Sequence, residues 1–146
     1  EILSGLVGSE MCIRDSIGAM LLAIFFLGER SRAQKNGESA YHKITAGEAK
    51  KKMQDTKDFI LLDVRTQEEF SEQHIPGATL IVDSQISAEA GKKLPDKDIP
   101  IFVYCRSGRR SAGAANQLVN MGYTQIYDFG GIIDWPYETV SGSEQQ

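Results

Sequence analysis

Short apolar runs alternate with polar, helix-forming segments along residues 41–140. Five of the runs predict strands, at residues 41–44, 58–64, 79–82, 99–104 and 125–128. The runs at 58–64 and 99–104 are nearly continuous in their apolar character, which is typical of parallel strands buried on both faces. Because helical segments separate the strands, the pattern predicts one α/β domain with a mainly parallel five-stranded sheet flanked by helices.

Two of the helices have clear start signals. Thr45 is followed three residues later by Glu48, and Thr66 by Glu69. Each pair has the spacing of a capping box, in which the threonine and the glutamate satisfy each other's backbone N–H groups. A further helix is predicted over residues 85–93, and the helix that begins at about residue 111 is expected to end at Gly122 in a left-handed cap.

The segment before the domain has a different character. Residues 1–16 show no helical or strand period and are interpreted as a non-native or disordered stretch. Residues 17–28 are uncharged and strongly apolar, yet shorter than the ~20 residues that span a bilayer. They match the apolar part of a signal peptide or the remnant of an anchor, with a buried core helix as the alternative. Residues 29–40 are predicted as a linker and residues 141–146 as a tail.

This organisation predicts a location in the cell envelope of a bacterium, either exported or membrane-anchored, with the cytoplasm as the alternative. The chain has 41% hydrophobic and 25% charged residues and a net charge of −4, which argues against nucleic-acid binding. Of the two cysteines, only Cys105 lies in the predicted domain, so neither an internal disulfide nor a dithiol cycle is expected. His42 and His74 do not have metal-site spacing with Cys105. We therefore expect no metal and no cofactor, and a monomer.

The strongest candidate for chemistry is Cys105, which follows the predicted strand at 99–104. The residues after it form a short loop that opens a helix: Arg106, Ser107, Gly108, Arg109, Arg110 and Ser111. Backbone N–H groups converge at such a helix start and favour an anion, and a thiolate is an anion. Surroundings of this kind lower a cysteine pKa from ~8.5 to roughly 3.5–7.5. The sequence thus predicts a reactive thiolate, with Gly108 at positive φ inside the loop.

Several motifs agree in order and spacing with a known family. They are Asp63-Val64-Arg65, Glu69-Phe70, His74 to Ala78, Cys105 to Ser111, and Gly130-Gly131 with Trp135. Together they resemble the rhodanese family of thiosulfate sulfurtransferases in its single-domain form, over roughly residues 41–140. The resemblance implies a rhodanese-like domain whose active-site loop connects a central strand with the following helix.

The resemblance also implies an activity. Cys105 would take sulfane sulfur from a small anionic donor such as thiosulfate, become a persulfide, and pass the sulfur to a thiol or to cyanide. Arg110 matches the arginine that closes the family's loop, while Arg106 and Arg109 occupy the variable positions that shape donor choice. Asp63 and Arg65 match a signature pair, which is expected to brace the site through an ion pair or a helix cap.

The sequence leaves the roles of the three loop arginines open. Arg110 could pair with a nearby carboxylate, and Arg106 and Arg109 could belong to the solvated surface. Related dual-specificity phosphatases use C-x5-R, whereas Cys105 and Arg110 are spaced as C-x4-R, which the family associates with sulfur transfer. The alternative functions are a sulfur carrier or interaction module without turnover and, less favoured, a phosphatase or arsenate reductase. His74 and Trp135 are expected to be structural.

Overall fold

Five parallel strands form one sheet in the computed structural model, which describes residues 39–142. The strands are β1 (Tyr41–Lys43), β2 (Ile60–Asp63), β3 (Thr79–Leu80), β4 (Ile101–Cys105) and β5 (Ile126–Gly131). Their order across the sheet is β1-β5-β4-β2-β3, and all neighbouring pairs are parallel. The predicted fold class is therefore confirmed, and β4, the strand that ends at Cys105, occupies the middle of the sheet.

The described residues also contain four α-helices and two 3₁₀ turns, the second of which follows the last strand. They are α1 (Ala46–Asp55), α2 (Gln67–Glu72), a 3₁₀ turn (Asp83–Gln85), α3 (Ile86–Lys93), α4 (Arg109–Asn120) and a second 3₁₀ turn (Ile132–Asp134). Both predicted capping boxes are confirmed, at Thr45 with Glu48 before α1 and at Thr66 with Glu69 before α2. In each box the threonine hydroxyl accepts the glutamate N–H, and the glutamate carboxylate accepts the threonine N–H.

Most strand boundaries and the start of α4 differ from the sequence prediction by one to three residues. The strand β3 ends at Leu80, because the chain turns into 3₁₀ geometry in which the N–H of Gln85 donates to the carbonyl of Val82. Helix α4 begins at Arg109, two residues before the predicted start. The strand β5 continues through Gly131, where a turn was predicted, because Gly131 pairs with Cys105 of β4 across a register shift.

Apolar side chains cover both faces of the sheet. On one face they come mainly from α3 and α4 and from the strands beneath, and include Leu62, Ile86, Leu94, Val103, Ala115, Leu118 and Tyr123. On the other they come from α1, α2 and the segment after β5, and include Ala49, Leu61, Phe70, Phe102, Tyr104, Phe129 and Trp135. Burial on both faces explains why β4 carries almost no polar residue.

The predictions for residues 1–16 and 17–28, and for nearly all of the linker at 29–40, lie outside the described residues, as does the end of the tail. Within residues 39–142, none of the helices has the length and apolar character needed to cross a membrane.

Candidate functional site

The strand β4 brings Cys105 to the carboxyl end of the sheet, at the start of the loop that leads into α4. All five residues of β4 are buried, and only 1% of the Cys105 surface is exposed. The backbone N–H of Gly108 donates a hydrogen bond to Cys105 Sγ at 3.0 Å. Gly108 adopts the predicted positive φ, at 100°, which lets the loop reverse towards the sulfur before α4 begins.

The surroundings of the sulfur favour its ionised form. Burial raises the pKa of the Cys105 thiol, but hydrogen bonds from the backbone N–H groups of Ser111, Gly108 and Ser107 outweigh burial and lower the pKa overall. A half-circle of N–H donors around an anion is the arrangement called a nest. Among these donors the Gly108 N–H has hydrogen-bond geometry to the sulfur, and the lowered pKa agrees with the thiolate that the sequence predicts.

Glycines of β5 form the floor beneath the loop. A Cβ atom built on Gly131 would overlap the carbonyl oxygen of Arg106 and lie 2.6 Å from the Cα of Ser107. Gly130, at a φ of 90°, also lies close to the loop. A Cβ atom built on Gly108 would be only 3.3 Å from the Cα of Gly130. Gly131 is thus needed because a side chain would collide with the loop, and Gly130 because of its positive φ; the predicted turn did not include the collision at Gly131.

Arg110 makes a bidentate ion pair with Glu69 at the start of α2. Its Nη1 and Nη2 donate to Glu69 Oε2 and Oε1 at 2.7 and 2.8 Å. The Arg110 guanidinium is the main reason why the pKa of Glu69 falls to about 2. Of the two roles considered for Arg110, the structure shows the carboxylate pair. The pair joins the first turn of α4 to the first turn of α2, and closure of the loop by Arg110 stays a prediction.

Arg106 and Arg109 both lie on the exposed surface of the loop but face different surroundings. Arg109 and Arg110 line a groove of about 420 Å³ together with Ser107 and with Asp83 from the 3₁₀ turn. Arg106 does not line this groove, and its carbonyl accepts the N–H of Ile133 at 3.3 Å. The groove gives the loop one cationic flank, on the side of Arg109.

A second groove, of about 480 Å³, borders the other flank of the loop. Lys43, Ser107, Phe129, Gly130 and Asp134 are among its lining residues. Ser107 lines both grooves, so the loop that carries the sulfur separates them.

Asp63 and Arg65 form a buried ion pair, which is one of the two bracing contacts predicted for the signature motif. Arg65 Nη2 donates to Asp63 Oδ2 at 2.6 Å and to the carbonyl of Gln73 at 2.6 Å, and the Asp63 side chain also accepts the Arg65 N–H. The Arg65 guanidinium lies over the ring of Tyr104, 5.6 Å from its centroid. Burial lowers the pKa of Arg65, but Asp63 outweighs burial and raises it overall. The pair connects β2, β4 and the end of α2, and none of its hydrogen bonds within the described residues goes to Cys105 Sγ.

His74 and Trp135 take structural positions, as expected. His74 is 4% exposed, stacks on the ring of Phe70 at a centroid distance of 3.8 Å, and pairs its backbone with Val140. Trp135 packs against Phe129 in the core, and its indole N–H donates to the carbonyl of Glu138.

Asp128, in β5, was not among the predicted site residues. Its carboxylate is fully buried beneath the loop and accepts the hydroxyl of Ser111 at 2.7 Å. Lys43 and Tyr41, from β1, donate to its other oxygen at 2.9 and 3.0 Å. One signal was available in the sequence, namely an acidic residue within an apolar strand that precedes Gly130-Gly131.

Comparison with known proteins gives consistent results. A family model described as the rhodanese-like domain matches residues 45–136. Thiosulfate sulfurtransferase PspE of Escherichia coli is 35% identical over 81 residues, which cover 56% of this chain and 78% of that protein. A sulfurtransferase of Allochromatium vinosum is 35% identical over 85 residues, which cover 58% of this chain and 78% of that protein.

Solved structures agree with these relatives. A rhodanese with anions from E. coli superposes with a TM-score of 0.56 at 33% identity, covering 58% of this chain and 100% of that one. A rhodanese-related protein from Thermoplasma volcanium superposes with a TM-score of 0.60 at 27% identity, covering 71% of this chain and 100% of that one.

Proposed function

The chain belongs to the rhodanese family, and on that premise we propose that it is a sulfurtransferase that moves sulfane sulfur through a persulfide on Cys105. One observation carries the proposal: the Gly108 N–H donates to the Cys105 sulfur, and hydrogen bonds from the loop lower the pKa of its thiol despite burial. A thiolate is the nucleophile that sulfur transfer requires. The persulfide is also an anion, so the same donors stabilise the enzyme before and after it takes up sulfur.

The proposed reaction has two displacement steps. In the first, the Cys105 thiolate attacks the outer sulfur of thiosulfate. A new S–S bond forms, and the original S–S bond breaks so that sulfite leaves with the electron pair. In the second, an acceptor thiolate or cyanide attacks the terminal sulfur of the persulfide, and the Cys105 thiolate is the leaving group. Neither step requires a metal or a redox cofactor.

The cationic groove beside the loop is the proposed entry for the donor. Arg109 and Arg110 line it, and a guanidinium binds an oxyanion through paired hydrogen bonds. Because Glu69 already occupies two donors of Arg110, Arg109 is the residue that has the greater freedom to bind thiosulfate. Arg106 lies outside this groove, so we propose that donor choice depends on Arg109 more than on Arg106.

The decisive experiment is mass spectrometry of the protein after incubation with thiosulfate. The proposal predicts a gain of one sulfur atom on the peptide that contains Cys105 and none in a Cys105→Ala variant. Steady-state turnover with thiosulfate and cyanide then tests catalysis. Rates above those of Cys105→Ala support the enzyme, whereas sulfur loading with rates equal to that control identifies a sulfur carrier. Absence of loading, with Cys105-dependent hydrolysis of an aryl phosphate, would instead support the phosphatase alternative.

We further propose that the protein acts in the cell envelope, on the strength of the apolar residues 17–28 alone. Fractionation of bacteria that express the full chain tests this, with a Leu22→Arg/Phe26→Arg variant as the control. Envelope location of the unmodified chain and cytosolic location of the variant are expected. Cytosolic location of both would contradict the proposal.

A further inference from the structure

The carboxylate of Asp128 is a meeting point for three segments of the fold. It lies in β5 with no exposed surface, and each of its oxygens accepts two hydrogen bonds. Oδ1 accepts the Ser111 hydroxyl at 2.7 Å and the Gly130 N–H at 3.0 Å. Oδ2 accepts Lys43 Nζ at 2.9 Å and the Tyr41 hydroxyl at 3.0 Å. One oxygen therefore faces the loop that holds the sulfur, and the other faces β1.

Ser111 links this carboxylate to the sulfur. Its hydroxyl has one proton and three acceptors in reach: Asp128 Oδ1, and the carbonyls of Gly108 and Gly130 at 3.1 and 3.3 Å. The carboxylate is the nearest acceptor and the only charged one, so it receives the proton. The same residue directs its backbone N–H towards Cys105. Fixing the Ser111 side chain on Asp128 thus also fixes one of the N–H donors that stabilise the thiolate.

We propose that Asp128 is a positioning residue for Cys105: through Ser111 and Gly130 it holds the loop in the shape that directs N–H groups at the sulfur. Asp128 does not contact the sulfur itself. The proposal rests on the proposed function for its role in catalysis, since only a reacting thiolate makes the loop's shape important for activity. The geometry behind it stands without that function.

The charge of Asp128 requires a counter-charge for this role. A negative carboxylate near a thiolate would by itself disfavour ionisation of the thiol. Lys43 supplies the counter-charge, with its Nζ 2.9 Å from Asp128 Oδ2, and the Tyr41 hydroxyl donates a second hydrogen bond to the same oxygen. These two residues of β1 are the titratable groups that bond to the carboxylate within the described residues, and Arg110 is the further cation that interacts with the sulfur.

Two substitutions separate the positioning role of Asp128 from the effect of its charge. Asp128→Asn and Asp128→Ala both remove the charge, but Asn keeps an acceptor oxygen for Ser111 and Gly130, and Ala does not. The readout is the pH midpoint of alkylation of Cys105, followed on its own peptide so that Cys12 does not contribute. We expect the midpoint of Asp128→Ala to lie above that of Asp128→Asn by about one pH unit. This is the shift expected when the charged Cys105 thiolate loses one backbone N–H donor of the loop.

A control and a second route keep the test decisive. Tyr41→Phe removes a hydrogen bond from Asp128 Oδ2 only, which is the oxygen that faces β1. This variant should leave the pH midpoint of Cys105 alkylation unchanged. If Asp128→Ala does not fold, Asp128→Leu fills the same space without an acceptor oxygen for the Ser111 hydroxyl and should also raise the midpoint above that of Asp128→Asn. Equal midpoints for Asn and Ala, or a lower one for Ala, would overturn the proposal. Because alkylation requires no sulfur transfer, this result is independent of whether the chain turns over thiosulfate.

Discussion

At the scale of single residues, the site depends on what surrounds one sulfur atom. Burial of Cys105 opposes ionisation, and hydrogen bonds from three backbone N–H groups favour it. The hydrogen bonds prevail because the loop reverses at Gly108 and directs its amides inwards. A substitution that preserves the cysteine but displaces the loop should therefore reduce the reactivity of the sulfur strongly.

The first prediction concerns the thiol itself. Alkylation of Cys105 in the unmodified protein, followed against pH, should show a midpoint clearly below the ~8.5 of a free cysteine. The physical reason is the lowered pKa of the folded thiol. The thiolate therefore persists as pH falls below the usual value, and is lost only when pH passes the lowered pKa. In denaturant the midpoint should return to the ordinary value. A folded midpoint at or above ~8.5 would contradict activation of the thiol.

The second prediction concerns the glycine floor. Gly131→Ala should reduce sulfur transfer on the order of 100-fold, because the added methyl group must displace the backbone at Arg106 and Ser107. Gly91→Ala is the matched control, since a Cβ there meets nothing within 4 Å and α3 gains a better helix former. Activity per folded molecule is the measurement. Unchanged activity in Gly131→Ala would show that the loop tolerates displacement.

The roles of single residues differ in how far the sequence predicts them. Cys105 and Gly108 were predictable because strand, loop and helix start are contiguous in the chain, so their chemistry follows from neighbours. Asp128 and Gly131 were not, because their roles arise only when β5 lies beside β4. An acidic residue in an apolar strand is a visible anomaly, but its partners Tyr41 and Lys43 are more than 80 residues away along the chain, with separations of 87 and 85.

At the scale of elements, the pair of Arg110 and Glu69 joins the starts of α4 and α2. Glu69 also caps α2 through the N–H of Thr66, so one carboxylate serves a local and a long-range contact. The capping boxes were predictable because their partners are three residues apart. The ion pair spans 41 residues and was left open, because the sequence does not show which carboxylate α4 will face.

The third prediction follows from the acidic pKa of Glu69. The pKa of Glu69 falls to about 2 in the folded protein. As pH decreases, Glu69 therefore binds a proton at a higher pH in the unfolded chain than in the folded protein. The stabilisation is complete above the ordinary glutamate pKa of ~4.3 and is lost as pH falls through about 2. The free energy of unfolding should therefore decrease with acid more steeply in the unmodified protein than in Glu69→Gln.

The size of this effect is limited by solvent. The two side chains are 29% and 26% exposed, so the difference at neutral pH should be at most about 1 kcal/mol. Urea unfolding between pH 7 and pH 3 is the measurement, with Glu89→Gln, from the exposed pair with Lys93, as the control. Parallel pH profiles for Glu69→Gln and the unmodified protein would contradict a role for the pair in the folded state.

At the scale of the whole molecule, the strand order determines where chemistry can occur. With β4 in the middle of the sheet, the carboxyl ends of both neighbouring strands lie beside Cys105. From β5 come Asp128 and the glycines, and from β2 come Asp63 and the start of the segment that carries Arg65. The alternation of strands and helices predicted a parallel sheet, but not which strands would be neighbours, since pattern alone does not determine their order.

The last prediction tests whether the pair of Asp63 and Arg65 braces the fold or takes part in the reaction. Arg65→Met leaves the buried Asp63 carboxylate without its guanidinium, and should lower the free energy of unfolding by roughly 3–5 kcal/mol. The double variant Asp63→Asn/Arg65→Met should recover part of that loss, because no buried charge is then left unpaired. Lys93→Met, at a half-exposed pair, should cost under about 1 kcal/mol. Since the buried pair makes no hydrogen bond to Cys105 Sγ among the described residues, persulfide formation per folded molecule should stay within about twofold of the unmodified protein, which is less than 1 kcal/mol of barrier. A large loss of persulfide formation without a loss of stability would place the pair in the reaction itself.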